Sequence, residues 1–172
     1  MSEIALGPAT RLDARDLIQA NLDSRAHHAP WAQPFTDEAG FDAWFAQQLT
    51  GPNVGLVARH ASTGGVVGVF NINQIVAGAF QSAFLGYYGM AAYARRGLMT
   101  EALRLSTRYA FGALGLHRLE ANIQPDNLAS IALARRAGFR MEGFSPQYLR
   151  IGGAWCDHER WALLASEAIR PA

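Results

Sequence analysis

The chain has 172 residues, half of them hydrophobic, and a formal net charge of +1; that is the size of one globular domain with its own core, without the basic footprint that duplex nucleic acid demands. All fifteen basic residues are arginine, which removes P-loop, Schiff-base and lysine-general-base chemistry. Cys156 is the lone cysteine, which removes intrachain disulfides and multi-thiolate zinc sites and fits a reducing cytoplasm.

In chain order, residues 3 to 12 read as a first strand, and Asp13 reads as the N-cap of a helix that carries Leu17, Ile18 and Leu22 and ends near Arg25. The N-terminus has no basic region followed by an apolar core, and no apolar run approaches the ~20 residues of a membrane span, so a cytoplasmic protein outside the membrane is expected. HHAPWAQP reads as a loop, and Thr36, Asp37 and Glu38 open a second helix with Phe41, Trp44, Phe45 and Leu49 on one face. Three strand-like runs, VGLVARH, VVGVFNINQIV and FQSAFLGYYGM, are separated by STGG and AGA turn signals and predict an antiparallel meander. A helix over 97–115, a strand over 117–124, a helix over 127–138 and a hairpin of 140–151 with 154–164 follow. The order predicts one α/β (α+β) domain over 1–172, with a mixed, mostly antiparallel sheet of about seven strands and helices on both faces.

Candidate chemistry concentrates between Ala91 and Phe139. A strand leads into the basic loop AYARRG and then into a helix N-terminus, where unpaired backbone N–H groups and the helix dipole favour an anion. Arg95 and Arg96 add two cations, and Gly97 lets the backbone approach a ligand closely. Alternation along LHRLEANI puts Leu119, Ala121 and Ile123 on one side and Arg118, Glu120, Asn122 and Gln124 on the other. Glu120 is then either a general base or the partner of a neighbouring arginine. Asn127 reads as a helix N-cap with Ser130 at the third helical position, while Arg135 and Arg136 read as solvated charges in the last turn. His27 and His28 are adjacent rather than spaced i, i+4, so no metal site is expected. Cys156, Asp157 and His158 are consecutive strand residues that point to alternate faces, which rules out a triad.

The segments ARRGLMTEAL, YAFGALGLHRLEANIQPDNLASIALARRAGF and EGFSPQYLRIGGAWCDHERWAL resemble the GNAT N-acetyltransferases, in particular the RimJ/RimL branch of ribosomal-protein alanine N-acetyltransferases. The likeness spans about 85–165, and several motifs agree in order along it. It implies a GNAT-like fold and acetyl-CoA held by Met90, Arg95, Arg96, Gly97, Leu98, Met99 and Thr100, with Asn127 and Ser130 near the pantetheine or thiol end. The family's loop pattern is Gln or Arg, two residues, Gly, one residue, then Gly or Ala; here Ala92 and Arg95 occupy the first two of those positions and only Gly97 is kept. Ala134 stands where many relatives have an acid tyrosine, and Ser130 matches the serine of the RimJ/RimL branch and inherits its role as acid. Leu149 stands where some relatives have a base glutamate, which leaves Glu120, Glu142 or a water chain as the base.

The resemblance implies direct acetyl transfer to a primary amine, with a protein or peptide N-terminus as the favoured acceptor. The alternatives are a small-molecule amine such as an antibiotic or amino-acid conjugate, and a noncatalytic acyl-CoA-binding module. No metal, nucleic acid or membrane partner is expected, and the protein is expected to be a monomer or homodimer.

Overall fold

Runs rich in Val, Ile and aromatic residues build a seven-stranded sheet, and the computed structural model describes residues 2–168 of the chain. The expected single domain over 1–172 therefore extends past the described residues at both ends. The strands are β1 (Ile4–Pro8), β2 (Val54–His60), β3 (Val66–Val76), β4 (Ser82–Gly89), β5 (Arg118–Ile123), β6 (Arg140–Ile151) and β7 (Ala154–Leu164). The helices are α1 (Ala14–Asp23), α2 (Arg25–His28), α3 (Glu38–Thr50), α4 (Leu98–Gly112), α5 (Leu128–Arg136) and α6 (Ala165–Ala168). The sheet order is β1-β2-β3-β4-β5-β7-β6. Its neighbours are antiparallel apart from β4 and β5, which run parallel.

The expected mixed sheet and meander are present, with three local differences. β1 stops at Pro8, because Thr10 turns the chain: its N–H and Oγ1 both donate to Asp13 Oδ2, at 2.7 and 2.9 Å, and residues Arg11–Asp13 wind into a 3-10 turn. The carboxylate of Asp13 is thus spent on Thr10 and Arg59 rather than on the N–H groups of α1. One further helical turn, α2, follows α1 and turns His28 inward, where sequence reading expected a loop. On α3, Asp37 caps the helix by accepting from Gly40 N–H at 2.7 Å; Phe41 and Phe45 are buried, but Leu49 is 69% exposed one turn on.

Helices cover both faces. α4 and α5 pack Leu98, Ala102, Leu103 and Ile131 over Phe70, Ile72, Leu119 and Ile123. On the other face α1 and α3 pack Leu17, Phe41 and Phe45 over Val57 and Val69. The feature that positions the site is a break in pairing: β4 and β5 are joined only at Ser82–Arg118, Ala83–Leu119 and Phe84–Glu120. Beyond Phe84 they part, leaving a wedge-shaped gap through the middle of the sheet.

The N-terminus of α4 is held at that gap by close packing. Met99 lies against Gly68 of β3 and Gly89 of β4, where an added Cβ would come within 2.6 Å of Met99 Sδ at Gly68 and 2.9 Å of Met99 Cγ at Gly89. Gly68 is the tighter position, because its Cβ would also meet the Tyr88 carbonyl at 2.9 Å. Gly68→Ala is therefore expected to destabilise the fold by about 1–3 kcal/mol, read from the urea midpoint. The Gly68→Ala, Met99→Ala double variant should lose less than the sum of the two, because the shared clash is removed.

Candidate active site

The gap opens into a cavity of about 850 Å³. Its lining divides between the two faces of the sheet. Phe84 and Glu120 are paired, so even-numbered residues of β4 and β5 share one face and odd-numbered residues the other. Tyr87 lines the α4/α5 side with Arg95, Arg96, Asn127, Ser130 and Arg136, and Tyr88 lines the other with His28, Trp31, Asn122 and His158. The cavity therefore crosses the sheet.

On the α4/α5 side the backbone supplies donors. Among the described residues, the N–H groups of Arg95, Arg96, Gly97, Leu98 and Met99 reach no acceptor, and the first internal bonds are Thr100 N–H and Glu101 N–H to Gly97 O. Gly97 has φ +78° and Arg95 φ +60°, a succession that turns these N–H groups toward a common concavity suited to an anion. The side chains of Arg95 and Arg96 line the cavity nearby, and Arg96 also lies over the Tyr93 ring at 5.5 Å. Arg136 adds a third cation, its Nε lying 3.4 Å from Thr100 Oγ1.

The gap itself supplies two more donors. Met90 N–H donates to Val67 O at 2.9 Å; with the β3–β4 register, this makes the even-numbered residues of β4 the ones bonded to β3. The N–H groups of Tyr87 and Gly89 therefore point into the gap. The Gly89 carbonyl accepts from His28 Nε2 at 2.9 Å, and burial lowers the His28 pKa below its usual value. Met90 N–H, already bonded, is not available to a ligand.

At the mouth of α5, Asn127 Oδ1 accepts from Ser130 N–H at 3.1 Å. Ser130 Oγ donates to Tyr87 Oη at 3.0 Å, and Tyr87 Oη lies 3.3 Å from Ser130 O, to which it donates. Burial pushes the Tyr87 phenol up to about 12, against a lowering contribution from the Ser130 hydrogen bond. The two hydroxyls form a hydrogen-bonded pair that closes back on the Ser130 carbonyl. Sequence reading did not single out Tyr87, because it lies 43 residues from Ser130.

The structure thus gathers Arg95, Arg96, Gly97, Met99, Thr100, Asn127 and Ser130 around one cavity. Met90 and Leu98 lie elsewhere, each 3% exposed in the two cores. Glu120 is held by Arg118 Nε at 2.8 Å and does not line the cavity. Glu142 pairs with Arg118 and Arg140, and its hydrogen bond from Arg118 holds the carboxyl below its usual range. No described Asp or Glu lines the cavity at all. Arg136, read as a solvated charge from sequence, is a wall residue.

Residues 3–140 match the acetyltransferase (GNAT) domain, so the chain belongs to the GNAT acetyltransferase family. It is 43% identical over 104 residues, 60% of its length, to a probable N-acetyltransferase of Bacillus subtilis, YjcK. It is 40% identical over 98 residues, 57% of its length, to the ribosomal protein uS5-alanine N-acetyltransferase of Escherichia coli. These matches cover 58% and 50% of the two relatives, so the chain spans about half the length of the sequence relatives it matches. Among solved structures it superposes on Mycobacterium smegmatis RimJ in complex with CoA-disulfide with a TM-score of 0.84 at 30% identity, covering 97% of this chain and 84% of that one. Spermidine N-acetyltransferase from Vibrio cholerae, in complex with CoA and spermine, shares the fold with a TM-score of 0.82 at 19% identity, covering 99% of this chain and all of that one.

Arg95 holds a left-handed conformation at the position where the family pattern has glycine. That conformation costs a residue with a Cβ roughly 1–2 kcal/mol, offset in a glycine variant by ~0.5–1 kcal/mol of extra chain entropy. Arg95→Gly is expected to raise stability by about 0.5–1 kcal/mol, measured as a higher urea midpoint at unchanged slope.

Proposed function

We propose that the chain transfers an acetyl group from acetyl-CoA to a primary amine, with a protein or peptide N-terminus as the acceptor class. The observation that carries this reading is the two-sided cavity: an arginine- and N–H-rich wall on one face of the sheet, joined through a gap to a carboxylate-free wall on the other. Five free N–H groups and three arginines fit the phosphates of acetyl-CoA. The N–H groups of Tyr87 and Gly89 fit an extended chain of amides, as an added strand would.

In this reading Arg95, Arg96, Arg136 and the turn into α4 bind the phosphates. Tyr87 N–H and Gly89 N–H orient the acyl arm and face its carbonyl oxygen, a donor role worth ~3 kcal/mol where one such donor has been removed elsewhere. Ser130, held in place by Asn127 and Tyr87, supplies a proton to the departing sulfur. Ser130 would thereby take the acid role for which Ala134 has no side chain. A protein α-amine has a pKa of about 7.7–8.0, so a useful fraction is neutral near neutrality without a strong base.

The carboxylate-free acceptor wall, which carries His28 and His158, favours a peptide terminus over a polyamine, whose additional ammonium groups would find no anion there among the described residues. The competing readings separate in one assay. Purified protein with acetyl-CoA is given peptides beginning with Ala or Ser, spermidine, and a panel of small amines, and free thiol and acetylated product are quantified. Mass gain on the peptides with little on spermidine is the expected outcome. No thiol release on any amine, with tight CoA binding retained, would favour a noncatalytic module.

Arg136→Ala and Arg96→Ala are each expected to raise the Kd for acetyl-CoA roughly 10-fold, the scale of one lost charge-assisted hydrogen bond. Both should leave kcat at saturation nearly unchanged. Calorimetric titration checks the first effect and steady-state kinetics the second.

A further inference from the structure

We propose that His158 is the proton acceptor for the incoming amine; this rests on the acetyl-transfer reading above and supplies the base that reading lacks. His158 lies on β7, two residues from Arg160, which pairs with Asn122 of β5. It therefore shares the face of Asn122 and Tyr88, opposite the face that carries Ser130. The residue is 3% exposed and lines the cavity.

Its tautomer follows from its one hydrogen bond. Nδ1 lies 2.9 Å from Cys156 O, and a carbonyl only accepts, so Nδ1 carries the hydrogen and the lone pair of the neutral ring sits on Nε2. Nε2 has no partner among the described residues and is not one of the buried, unpartnered polar atoms, so it meets the cavity. The other buried histidine is built the opposite way: His28 donates from Nε2 to Gly89 O, and its Nδ1 is sealed from the cavity without a partner. Glu120 and Glu142, the carboxylates considered from sequence, are tied to arginines outside the cavity. His27 also lines the cavity but is exposed to solvent, so His158 is the buried base left in reach of an amine on the acceptor side.

Titratable and charged groups face it from several elements. Tyr148 of β6 has its ring 6.3 Å away, centroid to centroid, and Arg160 lies on the same face of β7. Across the cavity stand His27, His28 and Tyr88. Asp157 and Glu159 are on the opposite face and bond to Gln147 N–H and Trp161 Nε1–H. In the step, the amine nitrogen forms its bond to the acetyl carbon and the carbon–sulfur bond breaks, the sulfur leaving with the electron pair. The amine proton passes to Nε2 of His158 and from there to water, and the sulfur takes up one proton through Ser130, so the products are the amide and the free thiol.

Two variants separate a base from a structural role. Asn in place of His158 keeps an N–H donor for Cys156 O and removes Nε2; Gln places a non-basic group nearer to Nε2. With a weakly basic acceptor amine that stays neutral through the mildly acidic range, wild-type kcat/KM should fall on the acid side. H158N and H158Q should bind acetyl-CoA as wild type does, lose on the order of 10²-fold or more in kcat, and lose that acid limb. Variants that turn over within a few-fold of wild type with the acid limb intact would overturn the assignment. Should neither variant fold, the wild-type profile decides: a flat acid side with the neutral acceptor overturns it. A wild-type protein that binds acetyl-CoA and acetylates no amine refutes the acetyl-transfer reading itself, and is distinguished by that from failure of His158 alone.

Discussion

The parting of β4 and β5 after three residue pairs is the constraint on which the rest of the molecule depends. Backbone N–H and C=O groups away from water must find partners, and a sheet that splits in its middle leaves a row of them facing an interior gap. The fold answers this with side chains and with space. His28 reaches across to the Gly89 carbonyl, Tyr87 turns its phenol to Ser130, and the N–H groups of Tyr87 and Gly89 stay directed into the cavity. Gly68 and Gly89 let Met99 come close enough to set the first turn of α4 beside the same gap. Backbone donors from two elements therefore converge on one cavity.

Electrostatics follows the same division. The acidic side chains are committed elsewhere: Glu120, Glu142 and Glu167 alternate with Arg118 and Arg140 along the paired end of the sheet, and Asp13 and Asp16 hold Arg59 at the edge of the α1 face. Among the described residues, the arginines without carboxylate partners include the three that line the cavity. A chain of near-neutral net charge thus concentrates positive potential in one place by pairing its anions somewhere else.

Much of the fold was legible because its signals are local. Alternation along Arg118–Ile123, the Asn127 cap and the Gly152–Gly153 turn each follow from a few neighbouring residues. The misplaced details have physical reasons: Thr10 diverts Asp13 from capping α1, and α2 extends the first helical region by a turn that propensity alone does not reveal. The anion-binding wall was half legible, since Arg95, Arg96 and Gly97 sit in a recognisable order before a helix, whereas Arg136 joins them only because α5 packs beside α4. Tyr87 and His158 were out of reach for the same reason: each acts through a partner or a face defined by strand pairing. The alternation that argued against a Cys156–Asp157–His158 triad does set Asp157 on the face opposite to Cys156 and His158, and continued across to β5 it also places His158 on the face of Asn122.

The three-pair junction has a mechanical meaning as well. It divides the sheet into a unit of β1–β4 and a unit of β5–β7, joined through that short seam and through α4, which packs on strands from both. An extended ligand lying in the gap would hydrogen-bond to the free edge of one unit while resting against the other, acting as an eighth strand that spans the seam. Occupancy would then be felt as cohesion between the two halves, so the stability of the whole domain and the concentration of its ligand become a single linked quantity.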